Sequence, residues 1–172
     1  MARDVKPLTR AQREAAVKIA TADKRVKTGR KARLRPVFAA PNLHDPVQAR
    51  GGEQVVVGFY DYDRGRSVVA LVDPREQTVL GVEETEAHLQ LSEEEKREAE
   101  GLATKDERVK DFLARRKANP LTRLYFPPDA ARQDPPHRHA IVFLRPSNSE
   151  RRYAVIDLTD GRTVDVLESL TD

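Results

Sequence analysis

The sequence predicts an α+β protein of two tandem modules, each a helix packed on one face of a four-stranded antiparallel sheet. Three observations predict it. A 20-residue stretch recurs within the chain, apolar runs of strand length follow each copy in the same order, and several of the links between those runs are short. Short links join antiparallel neighbours, because a parallel crossover needs a dozen residues or more.

The repeat pairs LTRAQREAAVKIATADKRVK at 8–27 with LSEEEKREAEGLATKDERVK at 91–110. Eight of the 20 aligned positions are identical, among them Asp23/Asp106, Arg25/Arg108, Val26/Val109 and Lys27/Lys110. Average composition would give roughly one or two. Pro-rich loops follow in both copies, PNLHDP at 41–46 and PPDAARQDP at 127–135. The modules are therefore expected at 1–86 and 87–172.

Each module opens with a helix. Thr9 followed by Gln12, and Ser92 followed by Glu95, each fit a capping box. Ala15, Ala16, Ile19 and Ala20 form an apolar stripe at helical spacing, and Ala99, Leu102 and Ala103 do so in the second copy. A further helix is expected near 106–117, where Val109, Phe112 and Leu113 share a face. Its counterpart in the first copy carries Gly29 and is expected to be shorter or frayed. Strands are expected at Leu34–Phe38, Val55–Tyr60, Ser67–Val72 and Thr78–Val82. In the second copy they are expected at Leu121–Phe126, Ala140–Leu144, Arg152–Leu158 and Arg162–Leu167. Asp73 and Asp157 close equivalent apolar runs, and Thr159-Asp160-Gly161-Arg162 is a tight-turn signal.

Composition excludes several chemistries. The chain has no cysteine, so disulfides, thiolate nucleophiles and Cys-ligated zinc or iron–sulfur sites are ruled out. Aromatics are only 5% with no Trp, which argues against stacking platforms for single strands. No apolar stretch approaches the roughly 18 residues of a membrane span. MARDVKPLTR lacks the apolar core of a signal peptide, so a cytoplasmic location is expected. No nucleophile elbow, phosphate-binding glycine loop or His-Glu-x-x-His helix is present.

The repeated unit resembles the small N-terminal domains of copper amine oxidases, the pair called N2 and N3. Leu8-Thr9 and its helix resemble the PLT-x-x-E opening of such a domain, and Arg66–Glu83 resembles a strand pattern ending in V-D-L. Ser92–Arg116 resembles the N3 helix pattern, and Tyr153-Ala154-Val155-Ile156-Asp157-Leu158 resembles its Y-x-x-V-D-L strand. The resemblance implies a cystatin-like fold for each module. It implies no catalysis, because in that family the oxidation belongs to a large C-terminal domain. The topaquinone precursor motif Asn-Tyr-Asp/Glu is also missing: none of Asn42, Asn119 and Asn148 precedes a Tyr. An accessory protein that engages another protein or a peptide is expected, in association with an amine oxidase system.

Four groups of residues remain as candidate sites. His137 and His139 stand two apart, so in a strand both rings face one side and offer two imidazoles to one copper ion, with His44 as a candidate third ligand. Two histidines in a polar loop are the plainer reading. Lys24, Arg25, Lys27, Arg30, Lys31, Arg33 and Arg35 form a basic run able to contact phosphates or an acidic partner. A solvated face is the plainer reading there, and nucleic acid is not the expected partner. Asp61 and Asp63 are a close carboxylate pair, but Arg64 and Gly65 beside them read as a hairpin tip. Gln54-x-Val56-x-Gly58 matches the inhibitory pattern of cystatins, but it lies inside an expected strand and reads as chance.

Charge divides along the chain. Residues 1–82 carry 16 Lys+Arg against 9 Asp+Glu, and residues 83–172 carry 15 against 19. A basic half beside an acidic one suggests attraction between modules or between copies of the chain, with solubility as the simpler purpose.

Overall fold

A computed structural model describes residues 7–27, 33–42, 54–115, 118–128, 134–146 and 150–168. The chain divides into two compact units, Met1–Leu89 and Gln90–Asp172. Among the described residues no helix is long and apolar enough to cross a membrane.

The first unit holds α1 (Arg10–Ala22), β1 (Leu34–Pro41), β2 (Val55–Asp61), β3 (Arg66–Asp73) and β4 (Thr78–Thr85). The second holds α2 (Glu93–Ala103), α3 (Glu107–Arg115), β5 (Ala118–Tyr125), β6 (His139–Pro146), β7 (Arg152–Asp157) and β8 (Arg162–Leu167). Each unit is an antiparallel meander, ordered β1-β2-β3-β4 and β5-β6-β7-β8. The α+β class and the two repeated modules are thus present.

Both long helices start on a capping box. Thr9 and Ser92 accept from the amides of Gln12 and Glu95, whose side chains accept from the cap amides at 2.8 and 2.7 Å. α1 lies across β1–β4, and α2 across β5–β8. Ala16 and Ala20, and Ala99 and Ala103, are fully buried at these contacts. A methyl at each contact lets the helix backbone approach the sheet closely. Opposite α1 the core is Val55, Val57, Phe59, Val68, Ala70 and Val72, the alternate residues of two adjacent strands. Gly58 leaves room for Phe38 and Leu89: a Cβ there would collide with Phe38 Cε1 and lie 2.9 Å from Leu89 Cδ1.

The duplication extends to details that sequence identity alone does not reveal. Asp23 and Asp106 each cap the turn after the first helix of the unit. Arg25 returns its guanidinium to Asp23, and Arg108 returns its own to Asp106. Val26 and Val109 are fully buried behind these turns. A β-bulge breaks the register between Leu71 and Val72, and another breaks it between Val155 and Ile156. The residues the bulges skip, Leu80 and Val164, are both about half exposed. The strand after each bulge then turns on an aspartate. Asp73 Oδ1 accepts from the amides of Arg75 and Glu76 at 2.9 and 3.1 Å. Asp157 Oδ1 accepts from those of Thr159 and Asp160 at 2.8 and 3.0 Å.

Candidate functional site

The groups of greatest chemical interest gather at one end of the second sheet. In register, Tyr125, His139, Asp157 and Arg162 form a row across β5, β6, β7 and β8. The segment entering β6 is zipped to the turn leaving β7. The Arg138 amide donates to Thr159 Oγ1 at 2.9 Å, and the Leu158 amide donates to the Arg138 carbonyl at 2.8 Å.

Because the turn occupies Asp157 Oδ1, the other oxygen, Oδ2, is left to face the histidines. His137 Nδ1 lies 2.7 Å from it and His139 Nε2 lies 3.8 Å from it. Burial pushes the Asp157 carboxyl up. The hydrogen bond from His137, the Asp160 amide and the two nearby imidazoles outweigh that, so its pKa falls below the ordinary value. Asp160 Oδ2 comes within 3.9 Å of His137 Nδ1, and its other neighbour is Arg162 Nε at 3.4 Å.

The two histidines therefore differ in role. His137 is a quarter exposed and joins Asp157 and Asp160 in a group whose ligand atoms all lie within 4.8 Å of one another. His139 is 4% exposed, and its Nδ1 is 3.2 Å from the His137 carbonyl oxygen. The rings stack with centroids 6.2 Å apart. The three-ligand group thus takes its oxygen ligands from the β7–β8 turn and does not include His139. His44 lies outside the described residues.

Between the histidines, Arg138 points into the core. Its side chain is 1% exposed and pairs with Glu95, itself fully buried, while Nη2 also donates to the Gln90 carbonyl at 3.1 Å. Glu95 thus serves two purposes, closing the cap of α2 and neutralising Arg138.

Among the described residues of the basic run, Arg25, Arg33 and Arg35 are engaged with their own module. Arg25 holds Asp23 and donates to the Val79 carbonyl. The Arg25 hydrogen bonds lower the Asp23 pKa to about 2. Arg33 donates its amide and guanidinium to Asp63 at 2.8 and 3.1 Å, which lowers that carboxyl as well. The guanidiniums of Arg33 and Arg35 sit 5.6 and 5.3 Å from the centre of the buried Tyr62 ring. Lys24 and Lys27 are exposed, and Arg30 and Lys31 lie outside the described residues.

The carboxylate pair Asp61 and Asp63 is structural. Asp61 Oδ1 accepts from the amides of Asp63 and Arg64 at 3.0 and 3.2 Å, and Asp63 belongs to Arg33. Gln54-x-Val56-x-Gly58 leads into β2, where Gly58 is buried in mid-strand.

Sequence reasoning missed Asp160 as a member of the His137 group and Glu95 as the partner of Arg138. The spacing Asp157-x-x-Asp160 after an apolar run was the available signal for the first. Compared with family models and with curated proteins, the chain finds no match.

Proposed function

We propose that the chain is a non-catalytic accessory protein that engages another protein or a peptide, and that the outer edge of β5 receives an extended segment of that partner. The observation that carries this reading is the regularity of β5. The outer strands β1, β4 and β8 each pair with their neighbour through a register break. β5 pairs with β6 through eight consecutive residues without one. Bulges blunt a sheet edge against strand addition, whereas an outer strand in unbroken register offers a straight row of backbone acceptors and, at every residue but Pro120, which has no N–H, of donors. Leu121 on this strand and Phe126 just past its end are 43% and 54% exposed. They supply apolar contacts for the side chains of an added strand.

The resemblance to the peripheral domains of copper amine oxidases, with its cystatin-like fold, supports an accessory role in an amine oxidase system. So does the use of Asp61, Asp63 and Asp73 as turn and pairing residues. The engagement of Arg25 and Arg33 by carboxylates favours a protein partner over a nucleic acid.

The test compares the wild type with a Leu121→Lys/Phe126→Lys double variant as baits in native lysate at moderate salt. Both residues are exposed, so the variant is expected to keep the wild-type circular dichroism and melting temperature. The proposal expects a protein enriched by the wild type and lost with the variant. Equal capture by both, or amine-dependent peroxide formation by the purified chain, would overturn it.

A further inference from the structure

We infer that His137, Asp157 and Asp160 form a binding site for a first-row divalent metal ion of the zinc type, independent of the partner-binding edge. Three observations carry it. The first is donor chemistry: one imidazole nitrogen and two carboxylate oxygens converge within 4.8 Å. Mixed nitrogen and oxygen sets of this kind suit zinc and its first-row neighbours.

The second is geometry. Two ligands of a tetrahedral zinc ion stand about 3.4 Å apart when each lies roughly 2.1 Å from the metal. His137 Nδ1 is 2.7 Å from Asp157 Oδ2 and 3.9 Å from Asp160 Oδ2, so the contacts bracket that value. The third pair, Asp157 with Asp160, lies within 4.8 Å, so admitting the ion needs shifts of roughly half an ångström to about 1.4 Å. The ion would take the Nδ1 lone pair, and the neutral ring would keep its proton on Nε2. Three protein ligands leave a fourth position for water.

The third is the comparison between modules. The Asp73 turn in the first unit makes the same two amide hydrogen bonds as the Asp157 turn. Val55 pairs with Val72 and Ala140 with Ile156, just past equivalent bulges, so the counterpart of His139 is Gln54. The first module therefore builds this corner without a histidine at that place. The turn alone does not call for a carboxylate oxygen directed at imidazoles. In the second unit Asp157 is 1% exposed, with Oδ1 fixed by the turn and Oδ2 directed at His137. His139, 3.8 Å from the same oxygen, would be a positioning residue that holds Asp157.

The test titrates the chelator-treated full chain with Zn2+ by calorimetry, and with Co2+ by visible absorption. The expected result is saturable uptake of one ion per chain, with a Co2+ d–d band. His137→Ala is expected to abolish it, and Asp160→Asn to weaken it roughly 10- to 100-fold. Arg162→Gln is expected to tighten it roughly 2- to 5-fold by removing the competing cation beside Asp160. Asp160 is 43% exposed, so its variant tests the site without threatening the fold. No saturable uptake by the wild type, or uptake unchanged in both His137→Ala and Asp160→Asn, would overturn the assignment.

Discussion

Replacing Glu95 with Ala tests whether the buried ion pair governs the second module. Glu95 and Arg138 are 0% and 1% exposed at the side chain. Removing the carboxylate leaves the guanidinium buried without the charge of Glu95 opposite it, while Nη2 keeps its bond to the Gln90 carbonyl. Breaking a buried pair from one side costs about 3–5 kcal/mol. The same change removes the bond from the Ser92 amide that closes the cap. The first module supplies an internal control. Gln12 stands at the equivalent cap position, but it is exposed and serves only Thr9. Gln12→Ala should therefore cost only its two exposed hydrogen bonds from Thr9, at most about 0.5–1.5 kcal/mol each. In a domain of this size each kcal/mol moves the melting temperature by about 4–8 °C. Urea denaturation followed by circular dichroism reads both variants on one scale. The paired replacement Glu95→Leu/Arg138→Met removes both charges and is expected to recover most of the loss. If Glu95→Ala costs no more than Gln12→Ala, or if the paired variant is as unstable as Glu95→Ala, the reasoning fails.

Three further outcomes are expected. Gly58→Ala places a methyl against Phe38 and Leu89 and should destabilise the first module by about 1–3 kcal/mol, with relief on adding Phe38→Ala; urea titration that finds Gly58→Ala stabilising would contradict the packing. Asp157 has a depressed pKa, so its contribution is complete above the unfolded carboxylate value near 4 and fades as pH falls through the lower folded value. Asp157→Asn keeps the turn acceptor, and its stability deficit at neutral pH should shrink in acid; a deficit independent of pH would refute this. Asp23 should titrate at about 2 by carboxyl-carbon NMR, and Arg25→Gln should return it towards the ordinary range near 4.

Much of the scaffold is legible because its causes are local. Thr9/Gln12 and Ser92/Glu95 announce the helix starts within four residues of sequence. The apolar runs and short turns announce the meanders, since alternation and loop length decide them without distant information. The bulges are not legible: Leu80 and Val164 sit in apolar runs like their neighbours, and only the register shows them skipped. The candidate site fails for the same reason. His137 and His139 were visible as a pair, but which ring meets which oxygen depends on how the Asp157 turn rotates its carboxylate. Glu95 and Arg138 are 43 positions apart, and no periodicity links a helix start to a particular strand entrance.

Two modules with matching caps, bulges and turns in one chain invite a folding error, in which a helix docks on the wrong sheet. The Glu95–Arg138 pair discriminates between the arrangements. If α1 settled on the second sheet, Gln12 would stand where Glu95 belongs, and a neutral amide would face the buried guanidinium. That mismatch lacks the charge compensation the native pairing provides. A single ion pair inside one copy would thus favour α2 over α1 on the second sheet.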